Sequence, residues 1–151
     1  MVRPSSRFDY VLRALVDLAL HEAEGPVKLS AIAKRQMIPL RYLEQLFNRL
    51  RRQGFVVAER GPRGGYRLGQ PASRIPVSAI FQSLELSPDE KAPGTSKFRE
   101  AVPGTQSPTR SIWRQVEKAV QTTLQATTLE ALAAQAREQN PALNHRFTFH
   151  I

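Results

Sequence analysis

Residues 40–68 read LRYLEQLFNRLRRQGFVVAERGPRGGYRL, an amphipathic segment that runs into a basic, glycine-rich loop flanked by short apolar runs. Advancing about 100° per residue around a helix brings Leu40, Leu43, Leu46, Phe47 and Leu50 into one arc. Arg41, Glu44, Gln45, Asn48, Arg51 and Arg52 fall on the opposite side. One face is a candidate core. The other is crowded with side chains that hydrogen-bond planar targets. Pro39 suits the first turn of such a helix, and Gly54 supplies its stop. Beyond it, FVVAER at 55–60 and YRL at 66–68 predict two short strands, joined as a hairpin by GPRGG at 61–65.

Upstream, Phe8, Val11, Leu12, Leu15, Leu18 and Ala19 recur at helical spacing between about Ser6 and Ala23. Ser5 or Ser6 is placed to cap that helix, and EGP at 24–26 to end it. VKL at 27–29 reads as a short extended piece. Ser30 is then expected to cap a short helix, AIAKRQ, which leads into the turn MIP at 37–39. Helix, short strand, helix, turn, helix, hairpin is the order of a winged helix-turn-helix.

Downstream, IPVSAIFQSLE at 75–85 predicts a helix that starts at Pro76 and carries Val77, Ile80, Phe81 and Leu84 on one stripe. Residues 86–106 hold three prolines, two glycines and few apolar residues, and read as a loop. Ser107–Pro108 opens a long helix with Trp113, Val116, Val120 and Leu124 at i, i+3, i+7 and i+11. Thr127 and Glu130 have the spacing of a capping box that restarts helical structure. Leu129, Leu132, Ala133 and Ala136 form the next stripe, and Asn140–Pro141 stops it. The expected fold class is mainly α with a small β-hairpin wing. A winged helix-turn-helix DNA-binding domain spans 1–85, the loop 86–106, dimerisation helices 107–140 and a C-terminal tail 141–151. The tail ends in the alternating RFTFHI.

The formal net charge is +9, and it is unevenly distributed. Residues 1–74 hold 14 Lys and Arg against 6 Asp and Glu, whereas residues 75–151 hold 8 against 7. A basic half joined to a near-neutral half points to a polyanionic partner for the first half. There are no cysteines, which excludes disulfides, thiolate metal sites and cysteine nucleophiles. Arg13 and Asp17 interrupt the apolar residues near the N-terminus, so no signal peptide is read there. No apolar run reaches the length of a membrane span. The expected location is cytoplasmic. His21, His145 and His150 are scattered, and neither a metal site nor a serine–histidine–carboxylate or paired-carboxylate pattern stands out. No enzymatic activity and no cofactor are expected.

A helix presenting Arg41, Tyr42, Glu44, Gln45 and Asn48 has the chemistry to read a DNA major groove. Arg pairs with guanine, Gln or Asn with adenine, and Glu accepts from the cytosine amino group. Arg49, Arg51 and Arg52 suit phosphates, which set position rather than sequence. In the hairpin, glycine permits positive φ and close approach of backbone to another surface. Arg60, Arg63 and Arg67, with Gly61, Gly64 and Gly65, then form a wing whose arginines suit the negative potential of a narrow minor groove. GPRGGY matches neither nucleotide-loop pattern, G-x-G-x-x-G or G-x-x-x-x-G-K-[ST].

Three stretches carry a resemblance: LRALVDLAL at 12–20, LSAIAKRQMIPLRYLEQLFNRLRRQGFV at 29–56 and RGPRGGYRL at 60–68. Together they resemble the IscR/NsrR/CymR-type bacterial transcription regulators. WRQVEKAV at 113–120 and TTLEAL at 127–132 are similar to that family's long dimerisation helix and the segment after it. The resemblance implies a homodimeric winged-helix protein, usually a repressor, on a roughly palindromic operator. By position, Arg41, Tyr42, Glu44 and Gln45 match the recognition helix, and Arg60, Gly61 and the following glycines match the wing. Trp113, Val116, Val120 and Leu124 are the dimerisation stripe. Many members hold an iron–sulfur cluster through three cysteines and a histidine, the last two spaced Cys-x-x-His. Here that spacing falls on Ser107 and Arg110. The chain therefore resembles the cluster-free branch, in which a small-molecule effector or a partner protein supplies the signal, and loop 86–106 occupies the sensing position. Two other readings of the basic half are an RNA-binding module, with RGPRGG as an RGG-like element, and a protein-docking adaptor. Few exposed aromatics beyond Tyr42 and Tyr66 are available for base stacking on RNA.

Overall fold

The computed structural model describes residues 6–85 and 108–141. Ser5, loop 86–106, Ser107, His145, His150 and the RFTFHI tail lie outside the described residues.

Helix α1 (Ser6–His21) turns its apolar stripe inward, burying Phe8, Val11, Ala14, Leu15 and Leu18. A 3₁₀ turn at Glu22–Glu24 and Gly25, at φ 124°, bring the chain round. Val27 then exchanges two backbone hydrogen bonds with Tyr66, at 2.9 and 2.8 Å. Helices α2 (Leu29–Gln36) and α3 (Leu40–Arg52) follow, then strands β1 (Val56–Glu59) and β2 (Gly65–Leu68). The strands pair antiparallel, with Val56 opposite Leu68 and Glu59 opposite Gly65. Helices α4 (Val77–Glu85), α5 (Pro108–Ala126) and α6 (Leu129–Gln139) complete the described chain. This is the expected mainly helical fold with a hairpin wing.

One apolar cluster joins all the helices except α5 through fully enclosed side chains: Leu15 and Leu18 of α1, Ile32 of α2, Leu43, Phe47 and Leu50 of α3, Ile80 of α4 and Leu129 of α6. Burying each such side chain is worth about 1.5–3 kcal/mol. The alternation of core and solvent along α3 therefore fixes the helix's rotation, which holds its polar face outward.

Three local expectations are corrected. Ser30 does not cap α2: the pairing of Val27 with Tyr66 keeps Lys28 extended, so the helix starts at Leu29 with no side-chain cap. Thr128, not Thr127, caps α6, its hydroxyl accepting from the Ala131 N–H at 3.1 Å. The backbone at 127–129 is fixed by hydrogen bonds from Val77 N–H to Thr127 O and from Leu129 N–H to Ile75 O, which leave Thr128 as the last extended residue. Thr127 instead donates its hydroxyl to the Thr123 carbonyl. Leu40, which the helical wheel assigns to the core arc, is 41 % exposed, because it is the first residue of α3 and lies past the core's edge.

Candidate nucleic-acid interface

Side chains of α1 hold the α2–α3 turn. Arg13 donates to the carbonyl oxygen of Gln36, the last residue of α2. The Gln36 amide in turn donates to Asp17 Oδ2 at 2.9 Å, and Arg35 donates to both Asp17 oxygens. One helix-terminal carbonyl, which would otherwise be orphaned, and two side chains are thereby satisfied from one neighbouring helix. Met37 follows in the left-handed conformation, φ 55° and ψ 46°, and redirects the chain into α3.

On α3, Arg41, Glu44, Gln45, Asn48, Arg51 and Arg52 are all exposed on the outward face. Tyr42 and Arg49 are half-buried. The Tyr42 ring meets Tyr10 of α1 edge-on, centroids 5.9 Å apart, so it braces α3 against α1 as well as bordering the polar face. Arg49 Nη1 is enclosed without a hydrogen-bond partner among the described residues.

The wing, the hairpin loop between β1 and β2, follows α3 in the chain. Arg60, Gly61 and Arg63 are exposed. Gly61, at φ 110°, needs the freedom of glycine. Gly64 and Gly65 lie where the fold leaves no room for a side chain. A Cβ on Gly64 would lie 2.2 Å from the Glu59 carbonyl oxygen, and one on Gly65 2.6 Å from the Val27 backbone. Gly64 thus lies close to the wing's own backbone and Gly65 close to the Val27 segment before α2. Arg67 is likewise turned to the fold: its Nε donates to Glu59 Oε1 at 2.7 Å and its Nη1 to the Glu22 carbonyl at 3.4 Å. The Glu22 carboxylate accepts from the Leu68 N–H at 2.8 Å, which ties the base of the wing to the end of α1.

Helix α5 buries none of its residues. Trp113 is 52 % exposed and Val120 39 %, while Val116 and Leu124 are half-buried. Ala119, Val120, Thr123 and Leu124 line a shallow apolar hollow on it. The four stripe residues thus share one helix, far in sequence from the α3 face.

The sequence pattern of Rrf2, described as "Iron-dependent Transcriptional regulator", matches residues 4–135. The chain belongs to the Rrf2 family. Among curated relatives, the HTH-type transcriptional regulator IscR of Yersinia pseudotuberculosis is 40 % identical over 131 residues, covering 87 % of this chain and 79 % of that protein. IscR of Serratia proteamaculans matches to the same extent. Among solved structures, T. potens IscR superposes with a TM-score of 0.77 at 34 % identity, over 92 % of this chain and 91 % of that one. CymR of B. subtilis, named as a global cysteine regulator, gives 0.75 at 32 % identity, over 89 % and 98 %. This Rrf2 protein is accordingly a DNA-binding transcription regulator and not an enzyme. Among its described residues no helix is long and apolar enough to cross a membrane.

Sequence reasoning missed the groups that position this Rrf2 interface. Asp17 was legible only as a charge among apolar neighbours, and Glu22 only as an acid at a helix end. Each finds its partner far along the chain, Arg35 for the first and Leu68 for the second. A carboxylate beside an apolar helical stripe is the one signal that could have marked Asp17.

Proposed function

We propose that the protein is a cytoplasmic homodimeric repressor that occupies a roughly palindromic operator without an iron–sulfur cluster. The carrying observation is the outward face of α3, where Arg41, Glu44, Gln45 and Asn48 stand exposed, as do the wing arginines Arg60 and Arg63. In this reading α3 enters the major groove, Glu44, Gln45 and Arg41 meet base edges, and Asn48, Arg49 and Arg52 serve bases or phosphates at the border. The wing lies in the adjacent minor groove.

Dimerisation is supported by α5. Most helical stability in proteins comes from packing an amphipathic face, yet α5 buries none of its residues, and its exposed Trp113 and Val120 give a second copy an apolar surface to cover. Two copies related by a two-fold axis require an operator with the same symmetry.

The family is described as iron-dependent, but the donor set here does not fit a thiolate-held cluster. The chain has no cysteine. Among the described residues, no group of three or more His, Asp and Glu could hold a metal ion. Regulation in this reading runs through a small-molecule effector or a partner protein.

The test is selection of genomic DNA fragments by the purified, metal-free protein at physiological salt. A palindromic motif is the expected product. With that motif in hand, Arg63→Ala should weaken binding to all sequences and flatten its salt dependence. Glu44→Ala should relax the choice of base at one position per half-site, by about 1–3 kcal/mol of discrimination. Tight binding with no motif, or equal losses on all sequences for both variants, would refute the assignment of α3.

A further inference from the structure

Two large apolar side chains stand in solvent where α3 begins. Met37 is 88 % exposed and Leu40, three residues on, is 41 % exposed. Met37 is also the one non-glycine with positive φ among the described residues. A Cβ in that conformation costs about 1–2 kcal/mol, and glycine is the usual occupant of the position that ends a helix in this way. The Met37 side chain gains no burial to offset the cost. Strain retained without a packing return points to a contact outside the fold.

The surroundings narrow the partner. Lys34 in the last turn of α2 and Arg41, next to Leu40, are both exposed. An apolar tip framed by cations complements a polyanion that presents a small apolar group between its charges. Duplex DNA does so at thymine, whose C5 methyl stands in the major groove. Leu40 lies one helical turn before Glu44, so its reach adjoins that of the side chains assigned to base edges.

We propose that Leu40, supported by Met37, contacts a thymine methyl at the border of each half-site, so that the operator specifies thymine there. This rests on the assignment of α3 as the recognition helix. The contact is a desolvation of one methyl group, with no hydrogen bond required.

The test uses the tightest-binding duplex that the full-length protein selects from genomic DNA, resynthesised with deoxyuridine in place of thymidine at one position at a time. The substitution removes the methyl alone. The wild-type protein should lose affinity about four-fold at one position per half-site, the worth of one buried methyl. Leu40→Ala and Met37→Gly should bind the thymine duplex more weakly by a similar factor, and lose nothing further on deoxyuridine at that position. Thermal unfolding checks that both variants are folded, and Met37→Gly should melt no lower than wild type. Deoxyuridine sensitivity that is equal in all three proteins, or absent from wild type, overturns the proposal while leaving DNA recognition intact. Undiminished DNA binding by both variants also overturns it. If no duplex is bound at all, the assignment of α3 falls, and this contact with it.

Discussion

The carboxylate of Asp17 in α1, only 2 % exposed, receives the Arg35 guanidinium from the last turn of α2, with Nη2 at 2.6 Å from Oδ1 and Nε at 3.0 Å from Oδ2. Hydrogen bonding to Asp17, aided by its charge, holds Arg35 above its ordinary pKa against the opposing effect of partial burial. A raised pKa contributes stability that is present below the unfolded value and lost only as pH rises through the folded one. For Arg35 that loss lies beyond the ordinary arginine range, so its side of the pair stays constant across neutral pH.

Asp17→Ala should therefore lower the free energy of unfolding at any pH near neutrality. Removing one partner of a buried pair costs about 3–5 kcal/mol, and the exposed side of Arg35 reduces this to about 2–4 kcal/mol. Urea unfolding measures it. A loss below about 1 kcal/mol, the size of an ordinary hydrogen bond, would show that the α1–α2 contact does not depend on this pair.

The wing glycines make a second expectation. Gly64→Ala and Gly65→Ala each drive a methyl into backbone, which has no rotamer by which to yield. Each should destabilise by about 1–3 kcal/mol or more, as overpacking does. Hydrogen exchange at the Leu68 and Tyr66 amides would rise first. Wild-type protection in either variant would contradict the close approach described for these residues.

The two threonines before α6 give a paired comparison. Thr128→Ala should cost about 1 kcal/mol, the usual worth of an N-cap. Thr127→Ala, which removes only a hydroxyl bonded back to Thr123, should cost a few tenths, since such back-bonds barely stabilise a helix. Equal losses in thermal unfolding would return the capping role to the box spacing of Thr127 and Glu130.

Trp113→Glu places a charge in the apolar stripe of α5. The expected product is a folded monomer with weak operator binding. Sedimentation that still shows a dimer would count against α5 as the subunit contact.

Elements with strong periodicity were legible in the sequence. The buried stripes of α1, α3 and α4 lie where apolar spacing indicates, and the hairpin lies between the predicted strands. Leu40 was not legible, because a helical wheel gives the direction of a side chain but not whether anything lies opposite it. The capping positions were off by two at α2 and by one at α6 for a related reason: where a helix begins is decided by backbone pairing with distant residues, Tyr66 for α2 and Ile75 for α6. At the candidate interface, residue types and spacing marked the exposed polar side chains of α3 and the exposed wing arginines. The inward turn of Arg67 and the packing role of Gly64 and Gly65 depend on tertiary neighbours, which spacing does not carry.

The paired hydrogen bonds joining Ile75 and Val77 to residues 127–129 have a consequence for how the molecule comes apart. They connect positions about fifty residues apart, and they deliver Leu129 into the same core as α1 and α3. A fragment ending at Ala126 would strand the Ile75 carbonyl and Val77 amide and leave a void where Leu129 sits. The helix-turn-helix and the last helix therefore form one cooperative unit: they should melt in a single transition, and a cut in the chain between them is not a cut between separable modules.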